Sequence, residues 1–366
     1  MRVLPVHVID PRQEKEKAIN IGEELESLIS TLGAGIPDRI IQKLDRPNNA
    51  TYIGKGKIEE VAQKVLQFNI DVVVLNAMVK PRQVHALKTH LQKVKSDIEV
   101  WDRVDLILQI FDLHASTQEA KLQIELARMN YMGPRIYGMG FVMSRQGGGV
   151  GIRGVGETNT ELMKRHWREQ KKSVRNKLEK IEQDRKRQLE QRRRAGFKTV
   201  SIVGYTNAGK TSLFNLMTGK HNVAKNVLFA TLDSTVGKIY LEDLYSEVLL
   251  TDTIGFIRDL PPLLISAFKS TLLESVRADI ILHVIDVSDS EMEDKIQVVN
   301  DILYELGRKQ EDIVYVLNKV DLIKNTSRQK LIKKYAQYSP LLISVKDGEG
   351  IEQVKEYIRN RLLLSN

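Results

Sequence analysis

Eight consecutive residues, Gly204-Tyr205-Thr206-Asn207-Ala208-Gly209-Lys210-Thr211, fit the pattern G-x-x-x-x-G-K-[ST], which describes a surface built for phosphate. Its glycines let the backbone wrap an anion closely, so that successive N–H groups and the start of a helix point at the charge. Lys210 would neutralise β- and γ-phosphates, the Thr211 hydroxyl would ligate Mg²⁺, and Ser212 follows in the same turn. The chemistry needs a strand before the loop and a helix after it. Residues 201–203 read as that strand, and a helix begins near Lys210.

Two further groups belong beside such a loop. Asp252-Thr253-Ile254-Gly255 closes the apolar run 248–250; the acid there would hold Mg²⁺, through water, and the Gly255 N–H can reach a γ-phosphate. Asn318-Lys319-Val320-Asp321 follows a strand at 314–317. A carboxylate at Asp321 can accept both N1–H and N2–H₂ of guanine, whereas adenine offers neither donor at those positions and would leave the acceptor unpaired. The expected nucleotide is therefore GTP rather than ATP. Ser344-Val345-Lys346, after the next strand, fits a loop that supports guanine O6 through backbone N–H groups. All four elements stand at the carboxyl ends of strands, where α/β sheets bind ligands.

The elements that must position these residues follow from periodicity. Residues 3–9, 71–75 and 98–101 read as strands and 13–32, 57–68 and 81–93 as helices, an N-terminal α/β domain over 1–102. A helical hairpin occupies 103–196, its arms at 105–132 and 157–194. The connection between them holds Gly133, Pro134, Gly138, Gly140 and the run Gly147-Gly148-Gly149-Val150-Gly151, which predicts a Gly-rich tip loop. Val174, Leu178 and Ile181 give the second arm a narrow apolar stripe, beyond which nearly every residue to Ala195 is charged or Gln. From 197 to 366 strands and helices alternate as in a doubly wound, mostly parallel sheet, with 238–241 and 247–252 close enough for one antiparallel edge. The fold class is α/β.

Composition narrows the chemistry further. The chain has 366 residues, 42% hydrophobic and 28% charged, room for two to three folded domains. It has no Cys, which excludes disulfides, a thiolate nucleophile and Cys-ligated zinc or iron–sulfur centres. No apolar run approaches a membrane span, and residues 1–10 lack the features of a signal peptide, so a cytoplasmic protein without stable membrane insertion is expected. Residues 164–198 carry fifteen Lys or Arg against five Asp or Glu, more excess charge than the net +9 of the whole chain. Concentrated positive charge of this kind favours a polyanion, with RNA ahead of an anionic membrane and of a plain solvated face.

These motifs resemble the G-domain motifs of translation-factor-type GTPases, and more narrowly the HflX family of ribosome-associated P-loop GTPases. The resemblance is carried by GYTNAGKTSLFN (204–215), FATLD (229–233), DTIGFIRDLP (252–261) and AFKSTL (267–272). Outside that domain it is carried by YIGKGKIEE (52–60), LILQIF (106–111), KLQIELA (121–127) and GIRGVGET (151–158). It implies that Phe229, Ala230 and Thr231 belong to the nucleotide site, with Thr231 on Mg²⁺ and the γ-phosphate, and that Lys210, Thr231 and Gly255 carry catalysis. The family's FATLDPTTR stands here as Phe229-Ala230-Thr231-Leu232-Asp233-Ser234-Thr235-Val236-Gly237, without the Pro and the Arg, and Val345 replaces the usual Ala. The resemblance also implies GTP and GDP as ligands, and binding of the large ribosomal subunit and its rRNA by a monomer. Ribosome splitting, rescue or biogenesis under stress is the implied outcome, with no part for DNA. A GTPase switch on an anionic membrane surface and a GTPase coupled to tRNA modification are the competing readings.

Water-orienting GTPases commonly place Gln after D-x-x-G; here the position is Phe256, whose ring cannot orient water. Slow intrinsic turnover follows, stimulated by a partner. Asn207 resembles the Asn that helps hold K⁺ in several related GTPases, which predicts stimulation by K⁺ and not Na⁺; bonding within the loop is the other reading. Gly54-Lys55-Gly56-Lys57 reads as a helix-entry turn ahead of an RNA contact, Tyr131 and Trp167 as helix packing ahead of base stacking, and His85, His90, His114 and His166 as surface or packing residues.

Overall fold

The computed structural model describes residues 1–12, 15–146, 159–220, 229, 235–241, 246–253, 255–258, 264 and 277–363. Ala230, Thr231, Ile254, residues 267–272 and the Gly-rich tip at 147–158 lie outside that set. The chain forms two compact units, Met1–Leu113 with Leu122–Lys177, and His114–Lys121 with Leu178–Asn366.

The first unit is built on four parallel strands, β1 (Val3–Ile9), β2 (Ile40–Lys43), β3 (Val72–Leu75) and β4 (Glu99–Trp101), in the order β2-β1-β3-β4. β3 buries all four of its residues and β1 its first five, the pattern of parallel strands covered on both faces. Helices α1 (Lys15–Thr31), α2 (Lys55–Gln67) and α3 (Pro81–Gln92) alternate with the strands. Leu4, Val6, Val61, Val65, Val73 and Leu87 meet in the core. β2 is absent from the sequence reading: it is a short edge strand of four residues, and Ile41 and Lys43 face solvent.

Two differences mark the helical region. The first arm is interrupted: α4 (Arg103–His114) ends and α5 (Gln118–Gln146) begins after Thr117, whose hydroxyl accepts the Ala120 N–H at 3.1 Å. A Thr that caps an N-terminus competes with continuing the preceding helix. The other difference is that α5 runs on through Gly133, Pro134, Gly138 and Gly140, where a loop was expected. Each Gly costs about 1 kcal/mol and a Pro about 3, and the buried Leu122, Ile124, Ala127 and Met129 anchor the helix upstream. α6 (Asn159–Arg194) has 36 residues and is therefore about 54 Å long. Val174 and Leu178 are buried on it as expected; Ile181, Arg185 and Leu189 extend the stripe half-buried, with Arg185 paired to Glu119 at 2.8 Å.

The second unit contains a six-stranded sheet in the order β10-β9-β8-β5-β7-β6. Its strands are β5 (Lys198–Gly204), β6 (Thr235–Leu241), β7 (Ser246–Asp252), β8 (Ile280–Asp286), β9 (Ile313–Asn318) and β10 (Leu341–Leu342). Only the β6–β7 pair is antiparallel, as the short spacing between them predicts. Register aligns the carboxyl ends: Ile202 stands opposite Asp252, Gly204 opposite Val284, and Asp286 opposite Asn318. On one side of the sheet Val200, Ile202, Leu282, Val284, Val314 and Val316 pack against α7 (Lys210–Thr218) and the helix Ile351–Leu363. This packing brings four loops to one rim.

Candidate functional site

The phosphate loop leaves β5 at Gly204 and enters α7 at Lys210. Asn207 (φ 63°) and Gly209 (φ 97°) are both left-handed, which turns successive N–H groups inward as an anion-binding concavity requires. Asn is among the few side chains that adopt this conformation readily. Gly209 is obligatory for a second reason: a Cβ there would lie 2.3 Å from Asn318 Nδ2. Lys210 is buried, its Nζ donating to the Tyr205 carbonyl at 2.7 Å. Burial lowers its pKa to about 8, against the opposing pull of the Asp252 carboxylate. It remains a cation at neutral pH, held in a site where charge is poorly solvated.

The end of β7 completes the phosphate side. Thr211 Oγ1 donates to Asp252 Oδ2 at 2.7 Å. A hydroxyl and a carboxylate at that separation are hard oxygen donors of the kind Mg²⁺ takes, together with phosphate oxygens and water. No group of three or more His, Cys, Asp or Glu suited to a metal occurs among the described residues. Thr253 is buried and donates to the Ile202 carbonyl at 2.7 Å, fixing the strand end. A Cβ on Gly255 would meet Thr206 Cγ2 at 2.7 Å and Lys210 Nζ at 2.9 Å, so only glycine allows this approach to the phosphate loop.

The residues after Gly255 are bonded to the phosphate loop in a parallel bridge. Phe256 N–H donates to the Gly204 carbonyl at 3.1 Å, and Thr206 N–H donates to the Phe256 carbonyl at 2.8 Å. The Phe256 ring is buried, so the position that would carry Gln carries a packing residue instead. Tyr205, buried, accepts the Arg258 N–H on its hydroxyl at 2.5 Å and lies beneath Lys295 Nζ, 5.1 Å from its ring centre. Arg258 in turn pairs with Glu291 at 3.1 Å and Asp294 at 3.5 Å. Sequence reading missed this connection because the partners are more than thirty residues apart.

On the base side, Asn318 ties two loops together. Its Nδ2 donates to the Ala208 carbonyl at 2.8 Å and its Oδ1 accepts the Val345 N–H at 3.2 Å. Lys319, left-handed at φ 66°, pairs with Asp286 at 2.6 Å. Asp321 Oδ1 accepts the Ser344 hydroxyl at 2.9 Å, and Val320 N–H donates to the Ile343 carbonyl at 3.2 Å. Ser344 is fully buried, Lys346 is exposed, and Val345 packs against the core with the extra bulk it has over Ala. Phe229 is buried with φ 59°.

The smaller signals divide. Gly54 caps α2 and Lys55 starts it, so the Gly-Lys repeat is a helix entry. Tyr131 donates its hydroxyl to Asp102, whose Oδ1 also accepts the N–H groups of Val104 and Asp105 at the start of α4. Two histidines absent from the sequence reading are buried. His7 bonds to Asn76 at 3.1 Å, and burial first, then the charge of Arg39, lowers its pKa to about 4. His283 lies edge-on to Tyr315, 5.2 Å between ring centres, and Tyr315 stacks on Tyr338 at 3.9 Å while accepting Asn300 Nδ2 at 2.7 Å. The signal was present: His283 interrupts the otherwise apolar run Ile280 to Ile285.

With this geometry in place, comparison with known proteins is decisive. Three family models match in series: GTP-binding GTPase N-terminal over residues 20–112, GTP-binding GTPase middle region over 114–192, and 50S ribosome-binding GTPase over 199–319. GTPase HflX of Caldanaerobacter subterraneus subsp. tengcongensis is 41% identical over 349 residues, 95% of this chain and 78% of that one. The chain belongs to the HflX family of GTPases. GTPase HflX of Escherichia coli K12 is 36% identical over 340 residues, 93% of this chain and 78% of that protein. Among solved structures, a GTP-binding protein from Sulfolobus solfataricus in complex with GDP is 26% identical with a TM-score of 0.53, and the SsGBP–GDP complex 28% identical with a TM-score of 0.56, each covering both chains in full. HflX membership makes this α/β chain a guanine-nucleotide-binding, GTP-hydrolysing enzyme.

Proposed function

We propose that this HflX-family protein binds GTP through residues 204–212, 252–255, 318–321 and 344–346, and that in its GTP state it binds the large ribosomal subunit through rRNA. Hydrolysis to GDP and phosphate then releases it. The ribosome reading is carried by α6, whose Lys172, Arg175, Lys180, Lys186 and Arg187 are all exposed on a helix with little apolar face. It is supported by the match of residues 199–319 to a 50S ribosome-binding GTPase model. Ribosome splitting or rescue is the outcome this reading assigns to the cycle.

In the hydrolytic step Lys210 and the Gly255 N–H stabilise charge on the phosphates, and Thr231, outside the described residues, is assigned to the γ-phosphate by the family resemblance. Thr211, Thr231 and Asp252 would hold Mg²⁺, which supplies charge neutralisation across the β- and γ-phosphates when bound. Asp321 reads the guanine edge, held by Ser344. Asn207, exposed at the turn of the loop, would contribute to a K⁺ site; equal turnover in matched KCl and NaCl would dispose of that part.

Co-sedimentation tests the partner: ribosomes and anionic liposomes are compared with a non-hydrolysable GTP analogue against GDP. Analogue-dependent pelleting with ribosomes alone is expected. Pelleting with liposomes alone would favour the membrane switch. No helix of the described residues is long and apolar enough to cross a bilayer, so α6 would grip lipid only by charge.

A further inference from the structure

The residues after Gly255 are fastened to the phosphate loop by backbone and by side chain, and the two kinds of bond ask different things of the sequence. The bonds from Phe256 N–H to the Gly204 carbonyl and from Thr206 N–H to the Phe256 carbonyl, at 3.1 and 2.8 Å, need no particular side chain. The next bond does. Arg258 N–H donates to the Tyr205 hydroxyl at 2.5 Å, a contact that a phosphate loop without a hydroxyl at its second position would lack. The Tyr205 ring is buried, with Lys295 Nζ 5.1 Å from its centre and so within cation–π range. Lys295 is itself paired with Asp289. The Arg258 guanidinium meets Glu291 at 3.1 Å and Asp294 at 3.5 Å, where the helix Met292–Glu305 begins. The side chains of Arg258 and Glu291 are each 12% exposed, so removing one partner strands a poorly solvated charge.

Position 258 is thus held twice, its backbone by the phosphate loop and its side chain by the start of that helix. Gly255, three residues upstream, shares the constraint. A Cβ on it would lie 2.9 Å from Lys210 Nζ and 3.0 Å from Thr206 Cα, so a small displacement of the segment moves its backbone relative to the ammonium. We propose that Tyr205 and Arg258 are positioning residues, which hold residues 255–258 against the phosphate loop so that the Gly255 N–H meets a γ-phosphate with little further ordering. They thereby set the preference for GTP over GDP. Ordering backbone on binding is costly, and a contact that is already in place spares the ligand that cost. GDP has no γ-phosphate and gains nothing from the segment they hold. The inference rests on the reading of Lys210 and Gly255 as the phosphate site.

Tyr205→Phe keeps the ring beside Lys295 and removes the hydroxyl; Arg258→Gln keeps the backbone N–H and removes the ion pairs. Calorimetry on the full chain compares a non-hydrolysable GTP analogue with GDP. Each variant should weaken the analogue about five- to tenfold and leave GDP within about twofold. The double variant should lose less than the product of the single losses, because both side chains act on one segment. Amide hydrogen exchange across residues 255–258 should quicken in Tyr205→Phe. An unchanged analogue-to-GDP ratio in Tyr205→Phe would overturn the proposal, and so would independent, multiplying losses in the double variant. Equal weakening of both nucleotides would also overturn it, by assigning the pair to packing alone. Lys210→Ala, run in parallel, separates this proposal from the reading beneath it: unchanged affinity for both nucleotides there would remove the phosphate site and this inference with it, whereas weakened affinity there beside an unchanged ratio in Tyr205→Phe would remove this inference only.

Discussion

At the scale of residues, the base pocket makes the sharpest predictions because each contact is a single hydrogen bond. Asp321→Asn exchanges an acceptor for a donor at the purine edge, so GTP affinity should fall by at least about 100-fold while xanthosine triphosphate gains; competition binding of the two nucleotides checks it. Ser344→Ala removes the hydroxyl that lies 2.9 Å from the Asp321 carboxylate and that also accepts the Asp347 N–H at 3.2 Å. Its cost is about 1 kcal/mol, a five- to tenfold weaker GDP affinity by calorimetry. The local motifs were readable from sequence because a phosphate loop or a base-reading carboxylate lies within four to eight contiguous residues. Thr206 was also in view, but only as a loop position. That its N–H is held by the Phe256 carbonyl depends on a residue fifty positions away, and no local pattern encodes it.

At the scale of elements, charge on α6 and the cap of α5 are the features that decide most. Reversing Lys172, Arg175 and Lys180 to Glu should weaken ribosome co-sedimentation and flatten its dependence on salt, since each lost phosphate contact takes about one unit from the slope; GTP affinity, set in the second unit's loops, should not move. Thr117→Ala removes a helix cap and should lower stability by about 1 kcal/mol, read as a shift in the urea midpoint. Strand 3–9 was legible to the residue because it is an apolar run bounded by polar residues. β2 was not, because half of its four residues face solvent and pairing with β1 alone makes it a strand. The reach of α5 through its glycines was hidden for the opposite reason: composition there favours a turn, and helix propagation from a buried stem prevails.

For the whole molecule, the buried histidines set the response to acid. His283 is held neutral inside the second unit: burial chiefly, with the Lys210 charge adding to it and Asn300 opposing, lowers its pKa from 6.5 to about 3. Above pH 6.5 folded and unfolded chains are both neutral there, and this group makes no difference. Between pH 6.5 and about 3 only the unfolded chain takes the proton, so stability falls by up to about 1.4 kcal/mol per pH unit. Denaturation at pH 7 and pH 5 should reveal that loss, and His283→Phe should reduce it. A second whole-molecule consequence comes from Asn318. One amide grips the Ala208 carbonyl with its nitrogen and the Val345 N–H with its oxygen, joining the cradle for the nucleotide's tail to the loop beneath its head. Because this link stands before any ligand arrives, a shift of either loop is passed through one amide to the other, and the nucleotide's two ends meet a single pre-assembled surface rather than two independent ones.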